Sequence, residues 1–127
     1  MIFIVDDSPT DIELTTIALE ATGREIDVRS ATDGKSALAM LRNELGVPAL
    51  ILLDLKMPGM CGVEVLCEIR ADDRLRGLPV VVVTTSSLES DRAEAIAAGA
   101  SDYIQKPLAL NQFSKDLESL LQHWLPN

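Results

Sequence analysis

Three runs in this chain are almost wholly apolar: Ile2–Val5, Ala49–Leu53 and Val80–Val83. Each is short, rich in branched residues and closed by polar or turn-forming residues. That is the pattern of a strand covered on both faces, as in a parallel sheet. A strand with two apolar faces needs a helical layer on each side, and this requirement narrows the fold more than any other feature. Two further segments, "EIDVRSA" at 25–31 and "SDYIQ" at 101–105, mix polar and apolar residues and read as edge strands.

Helical patterns lie between these runs. Ser8 can cap a first helix, Pro9 fits its first turn, and Asp11 stands where the acid of a capping box would. Leu14, Ile17, Ala18 and Ala21 follow at helical spacing, and Gly23 closes the helix. A second helix is predicted over Asp33–Glu44 with Ala37, Leu38 and Leu41 inward, and a third over Gly62–Ala71 with Val65, Leu66 and Ile69. A small, alanine-rich helix spans Leu88–Ala98 and stops at Gly99. The last runs from about Leu110 to Leu125, with Phe113, Leu117, Leu120, Leu121 and Trp124 on one face.

Strand and helix thus alternate five times. Right-handed crossovers, with the strongest runs central and the mixed ones at the edges, predict an α/β fold of the flavodoxin-like, doubly wound (βα)5 type. Its five-stranded parallel sheet has the order 2-1-3-4-5. No linker, repeat or low-complexity stretch divides residues 1–127, so a single domain is expected, with no output domain after the last helix.

Composition excludes several functions. The net charge is −9, from 20 acids against 11 bases, and no Lys/Arg cluster offers a footprint for nucleic acid. The apolar runs fall far short of the ~20 residues that cross a bilayer, and no basic segment precedes an apolar one as in a secretion signal. Cys61 and Cys67 fall in one predicted helix, at a spacing unlike common zinc motifs. They read as reduced thiols of a cytoplasmic protein, with a redox switch as the alternative.

In a doubly wound sheet, ligands bind beyond the carboxyl ends of the strands, at the switch point between strands 1 and 3. Strand 1 delivers Asp6 and Asp7 there, strand 3 delivers Asp54, strand 4 Thr84 and strand 5 Lys106. Three carboxylates so close need a counterion, and Mg²⁺ suits a few carboxylates completed by waters and phosphate oxygens. One carboxylate can then act as a nucleophile toward a phosphoryl group, while Lys106 and Thr84 bind the transferred oxygens. Each piece alone has an ordinary explanation. Aspartates cap helices, "DLKMPG" can be a polar turn, and Lys-Pro is a common strand exit. Their joint placement at the correct strand ends argues for a site.

These residues resemble the receiver domain of two-component response regulators, the CheY-like family. The resemblance spans essentially the whole chain and rests on "VDD" at 5–7, "LLDLKMPGMCG" at 52–62, "PVVVVTT" at 79–85 and "GASDYIQKP" at 99–107. It implies a stand-alone receiver in which Asp54 accepts a phosphoryl group from a phosphohistidine of a sensor histidine kinase. Asp7 and Asp54 would ligate Mg²⁺ directly, Asp6 largely through water, and Lys56 by its backbone carbonyl. Thr84 and Tyr103 would be the switch hydroxyl and switch aromatic, and Lys106 the phosphate-binding ammonium, its bond to Pro107 cis. Thr85 stands where the family usually has a smaller residue, and Lys56 and Ser86 resemble its tuners of autodephosphorylation. Phosphorylation would change the face built from helix 4, strand 5 and helix 5, which an unknown downstream protein would read.

The ending "LLQHWL" resembles single-domain receivers associated with phytochrome-like kinases, where helix 5 and strand 5 form a homodimer contact; Trp124 capping its own core is the alternative. Met57 and Met60 read as packing residues, and His123 as a helix-end residue. The implied function is not enzymatic, apart from slow autodephosphorylation. Two rivals remain: a pseudo-receiver that binds without being phosphorylated, and a small Mg²⁺-dependent phosphatase with Asp6 as nucleophile.

Overall fold

The computed structural model describes residues 1–44 and 46–125. Five parallel strands, β1 (Ile2–Val5), β2 (Val28–Ala31), β3 (Leu50–Leu53), β4 (Val80–Thr84) and β5 (Asp102–Gln105), lie in the order β2-β1-β3-β4-β5. The helices are α1 (Pro9–Glu20), α2 (Gly34–Ala39), α3 (Gly62–Ala71), α4 (Glu89–Ala97) and α5 (Leu110–Trp124). The flavodoxin-like arrangement is the one expected. The three apolar runs form the interior strands and the two mixed segments form the edges, because an edge strand is covered less completely.

Side-chain alternation along the strands divides the core. Phe3, Val5, Ile51 and Leu53 point to one face and pack with Ala37, Leu38, Val65, Leu66 and Ile69 of α2 and α3. Ile2, Ile4, Leu50, Leu52, Val81 and Val83 point to the other and pack with Ala18 and Leu19 of α1 and Phe113, Leu117 and Leu121 of α5. Val82 and Leu55 meet Ala95 of α4. No described helix is long and apolar enough to cross a membrane.

Local expectations needed correction in places. The buried residues of α1 are Thr15, Ala18 and Leu19, whereas Leu14 and Ile17 are 42% and 41% exposed, and Ala21 is exposed too. This helix is apolar on more than one side, so its composition leaves the rotation open. Packing against α5 decides it: the Ser114 hydroxyl donates to the Ala18 carbonyl at 3.1 Å, which needs a small side chain at the contact. The second predicted helix is not one continuous α-helix. Asp33 caps it, accepting from the Ser36 amide at 2.7 Å, but after Ala39 the backbone widens to a π-helical segment over Met40–Glu44. Cys61 is the N-cap residue of α3 and not part of the helix. Gly23 and Gly99 end their helices with φ of 81° and 108°, as their composition suggests. Pro126 and Asn127 lie outside the described residues.

Candidate phosphoacceptor and metal site

Parallel pairing brings the functional residues together. Val5 pairs with Leu53 in register, and the Asp54 amide donates to the Val5 carbonyl at 2.9 Å, so the exits of β1 and β3 run side by side. Across β4, Thr84 pairs with Gln105, and the Lys106 amide donates to the Thr84 carbonyl at 2.7 Å. All five expected residues therefore emerge along one edge of the sheet. Asp6, Asp7 and Asp54 each offer a carboxylate oxygen within 4.8 Å of the others.

The local chain explains how the acids are held. Asp6 is 3% exposed, and its Oδ1 accepts from the Ser8 amide at 3.0 Å. Ser8 in turn caps α1, its hydroxyl accepting from the Asp11 amide at 3.2 Å. Asp7 is exposed and Asp54 half-buried. Behind Asp54 the start of α3 approaches so closely that a Cβ on Gly62 would fall 2.3 Å from the Asp54 carbonyl oxygen. Only glycine permits that approach.

The electrostatics distinguish the groups. Burial raises the Asp54 carboxyl above its ordinary range, and the negative charge of Asp6 adds to that. Lys106, together with the Lys56 amide and the Thr84 hydroxyl facing the carboxylate, pulls it back in part. Lys106 Nζ lies 2.8 Å from Asp6 Oδ2 and 3.4 Å from Asp11 Oδ2. Burial alone would weaken this ammonium's hold on its proton. The hydrogen bond and charge of Asp6, with Asp54 and Asp11 behind it, outweigh burial and raise its pKa.

Two features differ from expectation, and the Lys56 side chain takes a partner on α4. Asp11 does not complete a capping box but turns its carboxylate toward Lys106, because a buried ammonium is a stronger attraction than an exposed amide. The Lys106–Pro107 bond is trans, the form intrinsically favoured by X-Pro bonds, and no cis bond occurs among the described residues. The Lys56 side chain turns away from the acids and pairs with Asp91 of α4 at 3.2 Å.

The remaining candidates sit around this centre. Thr84 is fully buried at the end of β4. Ser86 receives the Tyr103 hydroxyl on its carbonyl at 3.4 Å, and the Arg92 guanidinium lies 5.6 Å from the Tyr103 ring centre. Thr85 faces a cleft of about 270 Å³ shared with Asp11, Leu14, Lys106, Leu108 and Leu110. Met57 is buried beside Met60 in the α2–α3 half of the core. Trp124 packs partly buried against the α1–α5 half, with the His123 ring at 4.9 Å.

Asp11, Gly62 and Asp91 were not singled out for the site by sequence reasoning. Gly62 had a signal, since a glycine opening a helix just after a strand and a short loop marks a close approach. Asp11 and Asp91 had none, because acids in a first helical turn are ordinary.

Three carboxylates with hard oxygen donors, and no nearby thiolate or imidazole among the described metal-ligating candidates, fit Mg²⁺ or Mn²⁺. Both Asp6 oxygens already have protein partners, so Asp7 and Asp54 are freer to meet a cation directly.

Comparison with known proteins agrees with this fold. The family model described as "Response regulator receiver domain" matches residues 2–118. The probable methanogenesis regulatory protein FilR2 of Methanothrix harundinacea is 35% identical over 98% of this chain and 83% of its own length. The chain spans only 23% to 49% of three further curated relatives. Among solved structures, the phosphorylated cyanobacterial phytochrome response regulator RcpA superimposes with a TM-score of 0.89 at 36% identity, covering 98% of this chain and 92% of that one. The Mn²⁺-bound response regulator Rcp1 superimposes with a TM-score of 0.82 at 34% identity, covering 98% and 93%.

Proposed function

The chain belongs to the response regulator receiver domain family, and we propose that it is a stand-alone receiver whose Asp54 accepts a phosphoryl group from a histidine kinase. The observation that carries this reading is the meeting of the Asp6, Asp7 and Asp54 carboxylates within 4.8 Å, beside Lys106. A carboxylate oxygen of Asp54 bonds to the phosphorus of a phosphohistidine, the P–N bond breaks, and the imidazole leaves with that bond's electron pair. Lys106 and Thr84, which both act on the Asp54 carboxylate, would receive the phosphoryl oxygens by charge and hydrogen bond. Asp7, Asp54 and the Lys56 carbonyl would hold Mg²⁺, with Asp6 reaching it through water. The cation would offset the charge of the carboxylates and the incoming phosphoryl group.

Support for the metal and the phosphoryl group also comes from the two similar structures, one solved phosphorylated and one with Mn²⁺. The name of the first, a cyanobacterial phytochrome response regulator, favours a phytochrome-like kinase as donor. Thr84, Ser86 and Tyr103 form a path from Asp54 to β5, and we assign the readout to the face of α4, β5 and α5. Leu88, 60% exposed beside Tyr103 and Gln105, would belong to that surface, which a downstream protein or a second copy would contact.

Acetyl phosphate, with and without Mg²⁺, followed by intact mass measurement tests the reading. A single phosphoryl addition that needs Mg²⁺ and is absent from Asp54→Asn is expected. An adduct that ignores the metal, or survives that substitution, overturns it.

A further inference from the structure

The Lys56 backbone amide faces the Asp54 carboxylate, yet its ammonium does not. Nζ lies 3.2 Å from Asp91 Oδ2 and 3.4 Å from Asp91 Oδ1. Asp91 Oδ2 also accepts from the Ser86 hydroxyl at 2.6 Å. The Ser86 amide points to the Thr84 hydroxyl at 3.3 Å, and its carbonyl takes the Tyr103 hydroxyl. One carboxylate on α4 therefore ties the loop leaving Asp54 to the loop leaving Thr84. An acid in a first helical turn is favoured by the helix dipole alone, but the dipole does not require contacts to two other loops. The two partners are also unequal. The Asp91 side chain is 14% exposed and fixed by Ser86, whereas that of Lys56 is 65% exposed on a flexible four-carbon stem.

We propose that Asp91 is a positioning residue that holds the Lys56 ammonium away from Asp54 and competes with the phosphoryl group for it once the acyl phosphate has formed. This rests on Asp54 being the phosphoacceptor. Phosphorylation places a stronger anion within reach of the lysine. While Asp91 retains the ammonium, the phosphorus stays open to water. Water then bonds to phosphorus, the bond to the Asp54 oxygen breaks, and the carboxylate and inorganic phosphate separate. When Asp91 is removed, Lys56 pairs with a phosphoryl oxygen and obstructs the water's approach. Asp91 thus shortens the phosphorylated state without touching the phosphorus.

The test uses the full chain, loaded with acetyl phosphate and Mg²⁺, freed of donor, and followed by intact mass. Asp91→Asn is expected to lengthen the half-life of the adduct about threefold, the scale of a partly exposed ion pair. Asp91→Glu restores the wild-type decay. Lys56→Met, with no ammonium to move, decays at least as fast as wild type, and adding Asp91→Asn to it changes nothing. A half-life unchanged or shortened in Asp91→Asn overturns the proposal. So does lengthening that persists without Lys56, or a Lys56→Met variant that outlasts wild type. A wild-type chain that takes no phosphoryl group removes the phosphoacceptor reading and this one together; a labelled chain indifferent to Asp91 removes this one alone.

Discussion

Asp54 is expensive to keep ionised in its half-buried position beside Asp6, and its carboxyl titrates above the ordinary range for that reason. With a folded pKa above the unfolded one, folding favours the protonated form. The contribution to stability is fully present below the unfolded pKa and is lost as pH rises through the folded pKa. At neutral pH the ionised group therefore opposes folding. Asp54→Asn should therefore raise the thermal midpoint by about 1–3 °C, a gain kept small by solvent screening at this half-exposed position. A lowered midpoint would contradict this account. The same proton competes with a cation. Mg²⁺ affinity, measured calorimetrically at several pH values, should weaken as pH falls toward the raised pKa of Asp54, and a pH-independent affinity would remove Asp54 from the ligand set. The acids and Lys106 were legible in the sequence because each directly follows a strand, and strand ends in this topology share one edge. Asp11 and Asp91 were not, since their partners depend on how α1 and α4 are turned against loops far along the chain.

Helices and loops show the same division between what composition decides and what packing decides. The apolar faces of α3 and α5 have clear helical spacing, and Val65, Leu66, Ile69, Leu117 and Leu121 are buried as expected. The rotation of α1 departs from what its spacing suggests because Leu14 and Ile17 compete with Ala18 and Leu19 for the inward side. The widening after Ala39 left no mark that hydrophobic period could reveal. Gly62 makes the junction of β3 and α3 sensitive to a single methyl group, since a Cβ there would lie 2.7 Å from Leu55 Cα as well as against the Asp54 carbonyl. Both obstacles are backbone and cannot swing aside. Gly62→Ala should therefore cost about 1–3 kcal/mol in urea unfolding. It should also slow phosphoryl uptake from acetyl phosphate, because the strand end carrying Asp54 must move. Full retention of both would show that the junction yields more easily than its geometry implies.

The whole domain stores like-charge repulsion at one end of its sheet, and a divalent cation that binds there stabilises the folded chain by mass action. At a hundredfold excess over its dissociation constant, Mg²⁺ should add about 2.7 kcal/mol to unfolding free energy, reversed by a chelator. Asp7→Asn should lose most of this gain, and an equal gain in that variant would place the cation elsewhere. The opposite end of the sheet is held by an arginine. Arg70 donates to the carbonyls of Gly99, Arg76 and Leu78 and to the Ser101 hydroxyl, joining α3 to the turns before β4 and β5.

The ion pair between Asp6 and Lys106 joins residues 100 positions apart. During translation β1 emerges from the ribosome first, yet its two neighbours, β2 and β3, and the lysine that offsets its acid all emerge later. A nascent chain must carry its first aspartates without that lysine's charge until residue 106 has been made, so the charge pairing at this end of the sheet arrives with the final strand and not gradually.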